Sequence, residues 1–121
     1  MSTPDHTETP LTWDELPAPV TIYLVAHRDR DADTARRVFS DAASITDEGR
    51  THTGRPAIDE WLGAAGSEYT YTTEFRGAAR TDATTYDVVQ RLEGDFPGGI
   101  VDLHFRFTLA GELITRLVIE P

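Results

Sequence analysis

Asp47 is the side chain in this sequence best suited to chemistry. It follows a short apolar run, Ala43 to Thr46, that reads as a strand, and it precedes a hairpin-like loop that carries His52. A carboxylate held at the rim of an apolar cleft has its pKa raised and can move a proton at neutral pH. A histidine nearby would complete an acid/base pair able to serve dehydration or cyclisation. His27 is the second titratable candidate. It stands four residues after Tyr23, so the two share one face of a helix. Asp47, Tyr23 and His27 form the candidate catalytic set.

Two helices and a strand must position these groups. Val20, Tyr23, Leu24 and His27 recur at helical spacing, and Pro19 suits a first turn, so the sequence predicts a helix over Ala18–Arg28. Asp29-Arg30-Asp31 breaks it. A second helix, Ala32–Phe39, follows with Ala35, Val38 and Phe39 on one face, and the short connection makes the two antiparallel neighbours. The strand ends at Asp47 and Gly49 turns the chain. Gly54-Arg55 then leads into a third helix, Pro56–Ala65, closed by Gly66. From Ser67 the period becomes two. Tyr69, Tyr71, Thr73 and Phe75 share a face, then Tyr86, Val88, Gln90 and Leu92, then Val101, Leu103, Phe105, Phe107 and Leu109. Ala110-Gly111 makes a tight turn into a last strand, Glu112–Ile119. Phe96-Pro97-Gly98-Gly99 bends an edge or lengthens a hairpin.

Three helices and a four-strand meander predict an α+β domain with a curved antiparallel sheet wrapped around the helices. A conical hollow between the layers is a standard place for a small apolar ligand. Trp61, Tyr71, Phe96 and Phe105 are the aromatic candidates for its lining, with His52 and Leu103. Residues 1–11 are polar, carry Pro4 and Pro10, and read as a flexible tail before a single domain over 12–121. Thr12 and Glu15 are spaced as a capping box.

Composition excludes several functions. The net charge is −10 and all eleven basic residues are arginine, so no basic footprint for nucleic acid exists. There is no cysteine, which removes disulfides and thiolate chemistry. No apolar run approaches the ~18 residues of a membrane span. The N-terminus lacks the pattern of an export signal, which leaves the cytoplasm as the expected location. No nucleophile elbow and no phosphate loop occur, and no spacing demands a metal, so no cofactor is expected.

In serial order, Tyr23, Phe39-Ser40-Asp41-Ala42-Ala43, Ile45-Thr46-Asp47, Gly54-Arg55-Pro56-Ala57-Ile58, and the Phe105-Arg106-Phe107…Gly111-Glu112-Leu113-Ile114 hairpin resemble the SnoaL-like branch of the nuclear transport factor 2-like superfamily. That group includes ketosteroid isomerase and polyketide cyclases. The resemblance spans roughly residues 17–120 and implies a cone-shaped, cystatin-like roll. It implies that Asp47 stands where ketosteroid isomerase has its base and Tyr23 where it has its oxyanion donor, a pairing that is a standard example of tuned carboxyl groups. It also implies Leu103 at the place of that enzyme's protonated acid, with Asp102 facing the other way, and Glu48-Gly49 where a proline usually follows the base. A homodimer through the outer sheet face, where Asp102, His104 and Arg106 lie, is expected. Two functions follow. One is cofactor-free isomerisation, dehydration or cyclisation of a small apolar carbonyl compound. The other is a non-catalytic ligand-binding or protein-interaction module.

Overall fold

The computed structural model describes residues 8–65 and 70–121. In chain order its elements are β1 (Thr9–Leu11), a 3-10 turn (Trp13–Glu15), α1 (Ala18–Asp29), α2 (Ala32–Arg37), β2 (Phe39–Asp47), β3 (Arg50–Thr53), α3 (Arg55–Ala65), β4 (Tyr71–Arg80), β5 (Thr85–Gly94), β6 (Ile100–Ala110) and β7 (Leu113–Glu120). The strands form one sheet in the order β1-β4-β5-β6-β7-β2-β3. Neighbours are antiparallel except β2 and β7, which run parallel. The α+β architecture with helices on one face of a curved sheet is as expected. Gly66 and Tyr69 lie outside the described residues.

Alternation on the central strands decides which face is covered. Phe105, Phe107 and Leu109 of β6 are buried, as are Val88, Gln90 and Leu92 of β5 and Leu117 and Ile119 of β7. Their neighbours point outward and pair their charges. Arg91 donates to Asp102 at 2.8 and 3.2 Å, His104 Nδ1 lies 2.9 Å from Asp87, and Arg106 pairs with Glu120. The covered face packs against Val20, Tyr23, Leu24, Ala26 and Ala35 of α1 and α2 and Ile58 and Trp61 of α3 in one core. Register shifts between Phe75 and Gly77 on β4, and between Thr108 and Leu109 on β6, add the local twist that curls a sheet around such a core.

Four expectations change. The sheet has seven strands rather than the short strand plus meander. Thr9–Leu11, expected as tail, pairs with Arg80–Ala78 of β4 and forms an edge. Arg50–Thr53, expected as loop, pairs with Asp47–Ser44 across a two-residue turn. Glu48 (φ 55) and Gly49 (φ 78) both adopt the left-handed conformation that such a turn needs. Phe39, expected to end the second helix, instead begins β2. It pairs with Ile114 and is fully buried, which outweighs its helical spacing from Ala35. The turn after β6 is centred one residue later than expected, on Gly111-Glu112, with Gly111 at φ 62.

One arginine fastens this junction. Arg55, at the start of α3, donates to the carbonyls of Arg36 (2.9 Å) and Phe39 (3.1 Å) and to Asp41 (3.2 Å). It thereby gives a carbonyl at the end of α2 a side-chain donor and holds α3 against the start of β2. Thr12 and Glu15 do close as a capping pair, with Glu15 accepting from the Thr12 backbone at 2.8 Å. No helix among the described residues is long and apolar enough to cross a membrane.

Candidate active site

Helix α1 sets Tyr23 and His27 one turn apart, and their rings stack 5.8 Å apart at 13°. Tyr23 also meets Phe39 and Phe107 edge-on at 5.7 and 5.6 Å. It is wholly buried, and its hydroxyl has no hydrogen-bond partner among the described residues. Burial raises its pKa well above the usual phenol range, with the charges of Tyr71 and Asp47 adding to the rise. Tyr23 is therefore a fixed, protonated donor, and Tyr71 and Asp47 lie within its electrostatic reach.

His27 Nε2 stands 3.1 Å from the Tyr71 hydroxyl, and its ring packs against Phe105 at 6.0 Å. Its other nitrogen, Nδ1, is buried without a partner among the described residues. Burial, and then the nearby Arg30 charge, push its pKa down to about 4, so the imidazole is neutral at pH 7. Arg30 itself lies over the Tyr71 ring at 5.8 Å. Tyr71 is raised by its own burial, lowered by Arg30 and raised by Asp47.

The lowered histidine has a consequence for stability. The unfolded chain takes up the proton first, near pH 6.5, while the folded chain resists it down to about pH 4. Folding stability from this group is complete above pH 6.5 and is lost as the pH falls toward 4, by about 3 kcal/mol. Urea midpoints measured across that window should fall more steeply for wild type than for His27→Gln. Parallel curves would show that His27 titrates alike in both states.

Asp47 ends β2 on the concave side. Its row runs through Ile119 of β7, Phe105 of β6 and Val88 of β5. Oδ2 accepts a hydrogen bond from the Trp61 indole N–H at 3.2 Å. Half-burial raises the carboxyl pKa, opposed by the Trp61 bond, the His52 charge and the Glu48 N–H. His52 pairs with Ile45 in the sheet, is half-buried, and its ring lies 6.5 Å from that of Trp61.

The predicted residues thus gather into two groups. Tyr23, His27, Tyr71 and Phe105 touch in one chain of rings, extended by Phe96, which meets Tyr71 edge-on at 6.4 Å. Asp47, Trp61 and His52 form the other. The electrostatic effect of Asp47 on both tyrosines links them. Trp61 is buried and acts on the carboxyl, whereas Phe105 is a core residue behind His27. Leu103 is half-buried and faces inward beside Gln90, while Asp102 pairs outward with Arg91. Two residues were missed. Arg30 sits in the break after α1, with the left-handed φ of 58 that ends the helix. Among the described residues Gln90 is the one polar or charged residue buried in the core, and its amide nitrogen has no hydrogen-bond partner there. Its signal in the sequence was an amide at a position where β5 otherwise alternates apolar residues inward.

No protein-family model and no curated protein matches this sequence. Solved structures do. A Sinorhizobium meliloti protein, provisionally named a polyketide cyclase, superposes with a TM-score of 0.84 at 32% identity over 91% of this chain and 100% of that one. A Catenulispora acidiphila protein with a ketosteroid isomerase-like fold, solved with trimethylamine, gives 0.75 at 20% identity over 87% and 85% of the two chains. An epoxide hydrolase/cyclase-like enzyme of pyran ring formation in salinomycin gives 0.70 at 21% identity over 84% and 85%. The last two speak to the fold, and the first, with its full-length coverage, to kinship. The chain belongs to the SnoaL-like/nuclear transport factor 2-like superfamily.

Proposed function

We propose that this protein moves a proton on a small, apolar carbonyl compound without a cofactor, in an isomerisation, dehydration or cyclisation. One observation carries the reading. A half-buried carboxyl of raised pKa, oriented by an indole N–H, acts electrostatically on a buried phenol that has no hydrogen-bond partner among the described residues. Asp47 takes a proton from the carbon beside the carbonyl, and the electron pair moves onto the carbonyl oxygen. The Tyr23 O–H donates to that oxygen and holds the enolate. The protonated Asp47 then returns the proton to the same carbon or a conjugated one. Neutral His27, bonded to Tyr71, adds no positive charge of its own beside Tyr23. The resemblance to a protein named a polyketide cyclase supports a carbonyl substrate.

The test is hydrogen–deuterium exchange beside the carbonyl of trans-decalin-1-one in D₂O, followed by NMR. Wild type should accelerate exchange, and the rate should rise through one ionisation above the ordinary carboxylate range. Tyr23→Phe should lower the rate about a hundredfold. No acceleration at any pH would end the proposal. A second reading, a binding or interaction module without catalysis, is favoured by the packing of Tyr23, Phe39, Phe105 and Phe107, which are buried to 1% exposure or less. Under it no exchange follows, whether or not the ketone binds.

A further inference from the structure

Gln90 plays no part in the chemistry above, yet its position is the least explained in the core. It is 4% exposed, and its amide nitrogen has no hydrogen-bond partner among the described residues. A buried amide left unpaired is a rare and costly arrangement that calls for a reason beyond folding. The register shows where it points. Gln90 lies on β5 between inward-facing Val88 and Leu92, with Phe75 on β4 and Leu103 on β6 as its cross-strand neighbours. The next inward pair toward the helices' ring cluster is Val88 and Phe105, and Phe105 carries His27. Gln90 therefore points to the helix side of the sheet, the side from which Tyr23 and His27 approach it, and its inward-facing neighbours Phe75, Val101 and Leu103 are only half-buried.

We infer that Gln90 contacts the ligand, its side-chain N–H donating to a second oxygen of a neutral compound that carries two separated acceptor oxygens, such as a diketone or a hydroxyketone. The inference rests on the proton-transfer reading and names its substrate class. Donors from opposite layers, Tyr23 on α1 and Gln90 on β5, match oxygens at two places on one skeleton. Neutrality follows from charge. The inward positions 86, 88, 90 and 92 of β5 and 101, 103, 105, 107 and 109 of β6 carry no ionic residue. An anionic ligand would meet the Asp47 carboxylate with no cation on those strands to offset it, and Arg30, at the end of α1, is already placed over the Tyr71 ring. Between its oxygens the ligand meets Leu103, Val101 and Phe96, which are partly buried and apolar.

The experiment compares two probes that differ by one oxygen, trans-decalin-1-one and trans-decalin-1,5-dione, titrated calorimetrically into wild type and Gln90→Met, with Gln90→Leu as a second variant should the first fail to fold. Wild type should bind the dione about tenfold more tightly than the monoketone, and Gln90→Met should erase that preference. Without ligand, Gln90→Met should melt roughly 4 °C higher, because the unpaired amide is gone. A glutamine with a purely structural role would lower the melting point and leave the ratio of the two affinities unchanged, which overturns the inference. Wild type that binds the monoketone but shows no preference for the dione also overturns it, while the proton-transfer reading stands. Binding of neither ketone overturns both.

Discussion

Asp47→Asn is expected to cut ketone hydrogen exchange by about 10² to 10⁴, the contribution typical of a positioned general base. Asparagine keeps the size of the side chain and can still accept from the Trp61 indole through its carbonyl oxygen, so the geometry of β2 and α3 persists. Only the capacity to take a proton is removed. The stability readout runs the other way. Half-burial raises the folded pKa of Asp47 above its unfolded value, so the folded state favours the protonated acid. Above that folded pKa the carboxylate is a burden on folding, and stability is regained as the pH falls through it. The asparagine variant should therefore be at least as stable as wild type at neutral pH, and its advantage should vanish in acid. Loss of exchange together with unimpaired stability identifies a catalytic group rather than a structural one. Exchange undiminished in the variant would mean that another residue is the base.

Phe107→Ala carries the largest expected effect on folding, a loss of about 3–5 kcal/mol. Phe107 is fully buried, lies between Tyr86 and Leu117 across the sheet, and meets Tyr23 edge-on at 5.6 Å. Truncation opens a void beneath α1 where the surrounding rings are held by Phe39, His27 and the sheet, so little collapse can fill it. The ring contact adds to the transfer cost. Such a loss is a large share of the ~5–15 kcal/mol that holds a domain of this kind together. Urea unfolding measures it, and a decrease below about 1 kcal/mol would show that neighbouring side chains close the void. The same void loosens Tyr23, so exchange activity should drop in the fraction that remains folded.

How much of this was legible depends on how local the cause is. Tyr23 and His27 share a helical face, and that follows from a spacing of four residues. The inward set of β6 follows from strict alternation over Val101 to Leu109. Asp47 at a strand end is equally local. The strand β3 was hidden because Arg-Thr-His-Thr has no apolar alternation; its strand character comes from pairing with β2. Phe39 looked helical because its distance from Ala35 fits a helix, and only the distant Ile114 makes it a strand residue. The bonds that orient the candidate site were hidden for the same reason. Trp61 reaches Asp47 from the next helix, and Tyr71 reaches His27 from the far side of the chain. Gln90 was visible as an amide in an apolar row, but its lack of a partner is a property of the packed core alone.

The place of β7 in the sheet bears on how the chain is born. β7 lies between β6 and β2, and its Ile119 is the sheet neighbour of Asp47. During synthesis from the N-terminus, β2 leaves the ribosome early, with Phe39 and Ile45 ready for burial and only the short β3 hairpin beside them. The parallel partner arrives after β4, β5 and β6 have all been made. Until residues 113–120 emerge, the nascent chain holds an open apolar edge, a species suited to chaperone capture. The carboxyl proposed as the base gains its sheet neighbour Ile119 last, so a chain released early would hold both tyrosines, the histidine and Trp61 but no β7 wall beside the acid.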